Sequence, residues 1–290
     1  MAEGQQLDLI CFGRTNVDLY GEQAGATLSS AQSFAKYVGG SAANICVGSA
    51  RLGLRVAMLT RVGSDEFGKF LVTSLEREGI DVSHVQFDSE RPTAVVALAE
   101  RQRDDFPRIF FYRDSPDLAV DPDEIDIDRV GQARAVLLTG SMLLNRRLST
   151  ISERLARVVI GAGGRVILDV DFRPVLWGTA PISRGNDMST HTPEVTLSYQ
   201  RILPLCDLIV GTREEIGVIG GSDDLGEALR AIRQQSAAII VAKAGAAGAT
   251  AYCGTMSPDT GVSASGFPVE IVNTVGAGDA FMSEIGRAHV

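Results

Sequence analysis

Arg55-Val56-Ala57-Met58-Leu59-Thr60-Arg61, followed by Glu66-Phe67-Gly68-Lys69-Phe70-Leu71-Val72-Thr73-Ser74-Leu75-Glu76-Arg77-Glu78 and then Gly79, is the stretch whose reading decides the fold. Its first part is a short apolar run of strand length, and its second has helical spacing and ends at a glycine. Ser64 or Asp65 stands where the helix needs its N-cap. The same strand-then-helix order occurs upstream, with Leu7 to Phe12 as a buried strand and Ala42 to Leu52 as a helix ended by Gly53. Downstream, Ala135 to Leu138, Arg165 to Asp169, Leu208 to Val210 and Ala238 to Ala242 are strand candidates, separated by helical stretches such as Leu148 to Ile160 and Leu225 to Gln235. Alternation of this kind predicts an α/β fold, a mostly parallel sheet with helices on both faces. Two stretches break it. Gly25 to Val38 and Thr93 to Tyr112 read as β-rich and predict a small sheet standing off the main one, placed to close as a lid over the carboxyl ends of the strands. Pro181 to Pro193 is polar and reads as a surface loop.

The chain has 290 residues and a net charge of −9, with a pI near 4.9. That length fits one α/β domain of about 200–300 residues or two smaller ones, and one is the expectation here. The acidic balance argues against nucleic acid or an anionic membrane as the main partner and leaves room for a local anion site. Without an apolar run of spanning length or the basic, apolar leader of a signal peptide, a cytoplasmic protein is expected. Cys11, Cys46, Cys206 and Cys253 form no Cys-x-x-Cys pair and read as buried free thiols. His84, His191 and His289 have neither zinc-ligand nor triad spacing.

Chemistry concentrates in Asn273-Thr274-Val275-Gly276-Ala277-Gly278-Asp279-Ala280-Phe281. At the start of a helix the first backbone N–H groups point outward with the positive end of the dipole, so Gly276, Ala277 and Gly278 can form an anion hole. Asp279 then sits where a carboxylate accepts the proton of an attacking hydroxyl. An ordinary turn entering a helix, with Asp279 favoured by the dipole, is the better explanation of a bare Gly-x-Gly-Asp. Gly39-Gly40-Ser41-Ala42-Ala43-Asn44 lies between a strand-like run and a helix; paired glycines let a ligand approach the backbone, and Asn44 both gives and accepts hydrogen bonds. Gly63-Ser64-Asp65-Glu66-Phe67-Gly68-Lys69-Phe70 has the spacing of a P-loop, but Phe70 stands where the Mg²⁺-binding hydroxyl is required. No Gly-x-Gly-x-x-Gly follows a strand. Arg113 and Arg173 offer forks that suit a carboxylate, although surface ion pairing accounts for any single arginine.

Taken together, the glycine-rich stretch resembles the signature Asp-Thr-x-Gly-Ala-Gly-Asp of the ribokinase-like (PfkB) carbohydrate kinases, with Asn273 in place of the leading Asp. Gly39-Gly40 with Asn44 and the closing Arg51-Leu52-Gly53 resembles that family's amino-terminal signature. The likeness runs from Leu7 to about Met282, so 7–283 is expected to be one kinase domain with a lid from about 14–38 and 93–112. It implies a ribokinase-like fold that uses ATP and Mg²⁺ to phosphorylate a small sugar. Asp279 is then the catalytic base beside the anion hole, and Asp18, at the end of Gly13-Arg14-Thr15-Asn16-Val17-Asp18, grips sugar hydroxyls with Gly39, Gly40 and Asn44. Phe111-Tyr112-Arg113 and Asp171-Phe172-Arg173-Pro174-Val175-Leu176-Trp177 are similar to segments of family members acting on ketodeoxy sugar acids. Tyr112, Arg113 and Arg173 are accordingly implied at the acid. Asp171 and the loop Lys243-Ala244-Gly245-Ala246-Ala247-Gly248, with Lys243, Gly245 and Gly248, are implied at the nucleotide, a β-hairpin turn being the bland reading of that loop. Gly211 departs from the family's Asn-x-x-Glu, so Glu214 alone carries over, as a Mg²⁺ contact through water. The resemblance also admits a homo-oligomer built through the lid. A 2-keto-3-deoxygluconate kinase, or a silent sugar-acid binding protein with the kinase fold, are the alternatives.

Glu284-Ile285-Gly286-Arg287-Ala288-His289-Val290 departs from the family, whose helix continues there. The codon string GAG ATC GGA AGA GCA CAC GTC, a sequencing-adapter sequence, encodes it. Residues 284–290 are expected to be an assembly artefact replacing further C-terminal helices, and resequencing the locus decides this: a natural gene with these codons and then a stop refutes it.

Overall fold

A computed structural model describes residues 6–23, 25–98, 108–110, 114–180, 192–254, 261–270 and 274–289. The chain begins β1 (Leu9–Phe12), β2 (Asn16–Gly21), β3 (Phe34–Gly39), α1 (Ser41–Arg51), β4 (Val56–Gly63), α2 (Glu66–Arg77), β5 (Val85–Asp88), β6 (Val95–Leu98) and β7 (Arg108–Phe110). It continues α3 (Ile127–Gly131), β8 (Ala135–Thr139), α4 (Arg146–Gly161), β9 (Arg165–Asp169), α5 (Pro174–Trp177), α6 (Pro193–Gln200), β10 (Leu208–Thr212), α7 (Arg213–Gly220) and α8 (Leu225–Arg233). It ends with β11 (Ile239–Lys243), β12 (Ala249–Tyr252), β13 (Val262–Ala264) and α9 (Ala277–His289). Two compact units result: Met1–Asp126 with Glu270–Ala288, and Ile127–Val269 with the last two residues.

In the first unit β1, β4 and β5 are parallel, with Leu9 opposite Val56 and Thr60 opposite Val85. Leu9, Ile10, Cys11 and Phe12 are all completely buried, as continuous apolar runs are when helices cover both faces of a parallel sheet. A second, four-stranded sheet has the order β3-β2-β6-β7. Its β2–β3 and β6–β7 pairs are antiparallel and β2–β6 parallel; β3, β6 and β7 come from the two β-rich stretches, whereas β2 lies upstream of the first. The second unit carries parallel β8, β9, β10 and β11, with antiparallel β12 and β13 at its edge. Both units are therefore mostly parallel sheet clothed by helices, the α/β class that the alternation predicts.

Helix starts follow their caps. Asn145 accepts from Leu148 N–H at α4, Asp224 from Glu227 N–H at α8, and Thr212 and Glu215 form a reciprocal capping box at α7. Asp65, rather than Ser64, caps α2. Its Oδ1 accepts from Gly68 N–H (2.8 Å) and the Thr93 hydroxyl (2.9 Å), and its Oδ2 from Thr93 N–H (2.7 Å), so one carboxylate joins the start of α2 to the approach to β6. The P-loop look-alike owes its glycines to this packing. A Cβ on Gly68 would overlap the Gly63 carbonyl, and one on Gly63 would overlap Asp65 and Thr93.

Cys11, Cys46 and Cys206 are buried free thiols; Cys253, expected with them, is only half-buried, immediately after β12. Burial pushes the Cys46 and Cys206 thiols well up, which keeps them protonated and inert. Among the described residues no helix is long and apolar enough to cross a membrane. Pro181 to Pro193, read as a surface loop, falls outside the described residues as far as 191, and α6 starts at Pro193 itself.

Partial burial opposes ionisation of Asp65, but the donors on Thr93 and Gly68 outweigh it and hold the carboxyl below its usual range. A group with a depressed folded value stabilises above its unfolded value, and that contribution disappears as pH falls through the folded value. Asp65→Ala is expected to cost about 2 kcal/mol at neutral pH, about 1 for the cap and about 1 for the orphaned Thr93 amide. Urea unfolding across pH should show the gap closing in acid; a gap independent of pH would remove the ionic cap from the account.

Candidate active site

Strand β3 ends at Gly39 opposite Asn16, the first residue of β2, and α1 starts two residues later. Gly40 is the N-cap of α1 with φ of 95°, a left-handed conformation open to glycine, and a Cβ there would overlap the Arg14 carbonyl. A Cβ on Gly39 would overlap the Asp18 carboxyl. The space beside these glycines is thus filled by the protein's own Asp18 side chain and Arg14 backbone, where the sequence suggests room for a ligand. Asn16 Nδ2 donates to Asp18 Oδ1 at 2.6 Å and fixes the carboxylate. Positions i and i+2 share one face of a strand, so this partner was within reach of the sequence.

Gly276 precedes α9 with φ of 80°, and Asp279 falls in the first helical turn. Gly276 and Gly278 are half-buried and Ala277 is exposed. Ala277 N–H donates to the Thr274 carbonyl (3.2 Å) and Ala280 N–H to that of Gly276 (2.9 Å), which shapes the turn that aims the remaining amides and the helix dipole outward. Asp279 Oδ2 accepts from Asn44 Nδ2 at 2.8 Å. The two residues are 235 apart in sequence, and helix packing brings them together. One turn further along each helix, Ser283 faces Gly48 so closely that a Cβ on Gly48 would overlap the Ser283 hydroxyl, which donates to the Asp279 carbonyl (2.9 Å) and the Ile45 carbonyl (3.3 Å). The register of α9 on α1 follows from that contact.

A cavity of ≈ 780 Å³ opens over this constellation and is lined by Asp18, Asn44, Gly276 and Asp279 together with Tyr20 and Lys36. Asp18, Asn44, Gly276 and Asp279 were singled out in the sequence; Tyr20 and Lys36 were not. Tyr20 packs edge-on against Tyr37 at 5.5 Å, and Lys36 Nζ lies 4.0 Å from the ring centre of Phe70. No local pattern marks a lysine whose role comes from rings on α2. Arg51 also reaches the cavity, but Glu78 engages it through two hydrogen bonds of 2.8 and 2.6 Å. Tyr112, Arg113 and Asn273 lie outside the described residues.

The remaining candidates are in the second unit. Asp171, with φ of 34°, pairs with Arg173 at 2.6 Å. Lys243 ends β11 with Nζ 3.9 Å from Asp169. Gly245 and Gly248 bracket the tight turn joining β11 to antiparallel β12, closed by Ala244 N–H on the Gly248 carbonyl at 2.8 Å, so the hairpin reading of this loop describes its backbone. Glu214 is exposed in the first turn of α7 while its neighbour Glu215 is buried in the capping box.

A family model described as pfkB family carbohydrate kinase matches residues 6–285. The 5-dehydro-2-deoxygluconokinase of Geobacillus kaustophilus (strain HTA426) is 33% identical over 283 residues, covering 95% of this chain and 79% of that protein. The 5-dehydro-2-deoxygluconokinase of Bacillus subtilis (strain 168) is 28% identical over 289 residues, 97% of this chain and 83% of that protein. Among solved structures, a PfkB protein from Polaromonas sp. JS666 gives a TM-score of 0.80 at 27% identity, covering 98% of this chain and 88% of that one. A putative ribokinase II from E. coli in complex with ATP and Mg²⁺ gives 0.83 at 18% identity, covering 98% and 86%, and shares the fold. A helix-start carboxylate held by an asparagine over a polar cavity, in a chain matched almost throughout by one family model, makes this protein a member of the pfkB family of carbohydrate kinases, a sugar kinase of ribokinase-like fold.

Proposed function

We propose that this kinase transfers the γ-phosphoryl group of ATP to the terminal hydroxyl of 5-dehydro-2-deoxygluconate. The observation that carries the reading is Asp279, seated in the first turn of α9, held by Asn44 and facing the same cavity as Asp18. Asp18 and Asn44 bind the sugar hydroxyls; Asp279 Oδ accepts the proton of the attacking hydroxyl; the amides of Gly276 and Gly278 face the transferred group with the dipole behind them, while the Ala277 amide, expected with them, is taken by the Thr274 carbonyl. Lys36 supports an anionic substrate by placing positive charge at the cavity, and Arg113 and Arg173 are proposed at the acid end, where a guanidinium fork suits a carboxylate. The names of the two bacillar relatives favour this acid over other sugars.

Asp171, Lys243, Gly245 and Gly248 are proposed at the nucleotide. The donor set fits Mg²⁺ arriving on the phosphates: the exposed Glu214 offers one carboxylate to a coordinated water, as suits an ion that keeps much of its hydration. When bound, Mg²⁺ neutralises charge on the β- and γ-phosphate oxygens. The four-stranded sheet, which brings Asp18, Tyr20 and Lys36 to the cavity, is proposed to act as the lid that excludes water.

Asp279→Asn keeps the shape of the site and cannot accept the proton, so kcat should fall about 10²–10⁴-fold with ATP and sugar-acid affinities changed only modestly. Near-native kcat would reduce Asp279 to a helix-start residue. In a panel assayed by coupled ADP release, 5-dehydro-2-deoxygluconate should exceed ribose and fructose in kcat/KM by roughly 10²-fold or more. Equal turnover of the neutral sugars would overturn the sugar-acid assignment, and acid binding with no ADP release would establish a silent binding protein.

A further inference from the structure

Strand β9 stops at Asp169, and Val170-Asp171-Phe172-Arg173 must turn before α5 begins. Among the described residues Asp171 is the only one other than glycine with φ in the left-handed region, at 34°. That conformation is costly for a residue bearing a Cβ, and it persists where the surroundings over-determine it. The surroundings here are specific. The Tyr199 hydroxyl, on α6, donates to the Val170 carbonyl at 2.8 Å, gripping the peptide before Asp171. Phe172 N–H, in the peptide after it, donates to Glu215 Oε1 at 3.1 Å. Glu215 Oε2 accepts from Thr212 N–H at 2.7 Å and completes the cap of α7, so the cap does not need Oε1. Tyr199 is 0% exposed and Glu215 is 7% exposed.

Room for this arrangement is reserved elsewhere: a Cβ on Gly140 would overlap both the Val170 carbonyl and the Tyr199 hydroxyl. Burial, then the charges of Asp171, Glu215 and Asp169, push the Tyr199 phenol well up, so it stays a donor throughout the working range of pH. What the two grips deliver is the aim of the Asp171 carboxylate and of the Arg173 guanidinium paired with it at 2.6 Å.

We infer that Tyr199 and Glu215 are positioning residues for phosphoryl transfer, which hold the peptides on either side of Asp171 and so fix its left-handed backbone. The inference rests on the reading that Asp171 serves the nucleotide. Trp177, the single tryptophan of the chain, stacks on Tyr199 with ring centres 5.6 Å apart, and its emission supplies an equilibrium readout of MgATP binding.

The test uses the full chain with Tyr199→Phe, Glu215→Gln and Asp171→Ala, singly and in pairs. Phe keeps the ring and loses only the donor; Gln keeps an acceptor for one amide and turns a donor toward the other. Each of these two should weaken MgATP by roughly 3- to 10-fold, in both Trp177 titration and KM, with any rise in the sugar-acid KM, transmitted through Arg173, smaller than that loss. Because both act through Asp171, neither should weaken MgATP further in the Asp171→Ala background. Additive losses, or unchanged affinity in both variants while Asp171→Ala weakens binding, would overturn the positioning role alone. Unchanged affinity in Asp171→Ala itself would overturn it together with the nucleotide reading of Asp171. If Tyr199→Phe fails to fold, Glu215→Gln carries the same comparison.

Discussion

The contact of α1 with α9 in the first unit governs the rest of the candidate site. Gly48 and Ser283 touch where a methyl group would not fit, and this sets both the distance and the register of the two helices. Asn44 and Asp279 each lie one turn earlier on their own helix, so the same register brings amide and carboxylate to 2.8 Å. A hydrogen bond of this kind contributes only about 1 kcal/mol by itself. Its value is geometric, since the asparagine occupies one carboxylate oxygen and thereby decides which way the other one points. Stability comes from burial beneath: Ile45 and Cys46 are fully covered on the inner face of α1, against β1 and β4, and carry it as a rigid shelf.

The regular part of the fold was readable because its apolar runs coincide with whole elements. Arg165 to Asp169 is the strand expected, and the helix expected over Glu66 to Glu78 ends one residue sooner, at Arg77. Helix α7 escaped: beyond its exposed first turn Ile216, Gly217, Val218 and Ile219 are all buried, so its apolar run shows no helical period. Its trace in the sequence is the pair Thr212 and Glu215 at capping-box spacing, passed over because the family likeness drew the reading to Glu214. In the site, Asp18, Asn44 and Asp279 were legible through motifs. Lys36, Tyr199 and Glu215 were not singled out, since each acquires a partner from an element distant in the chain; Asn16, two residues from Asp18 on the same strand, was within reach and was passed over.

Charge is handled locally in this acidic protein. Arg14, 6% exposed, donates to Asp117 at 2.6 Å immediately before the strand that bears Asp18. Asp88 engages Arg61 and Arg91, and Asp114 also engages Arg91. The Arg91–Asp114 pair is exposed; the pairs on buried Asp117 and Asp88 give little net stability, but loss of one partner strands the other in a medium where an isolated charge is expensive. They therefore act as constraints on the ends of β1, β4 and β5. Lys36 is handled differently: its ammonium lies against the rings of Phe70 and Phe67 on α2, a cation–π contact at the cavity rather than an ion pair.

Gly39 and Gly40 also bear on how loss-of-function data for this enzyme should be interpreted. A saturation screen scored on growth would return both positions as intolerant, with the same profile as ligand-contacting residues. Yet the first atom of any side chain at Gly39 meets the Asp18 carboxyl, and at Gly40 the Arg14 backbone. Intolerance at these two positions measures crowding inside the protein, and only a binding assay on variants that remain folded separates that from contact with the sugar.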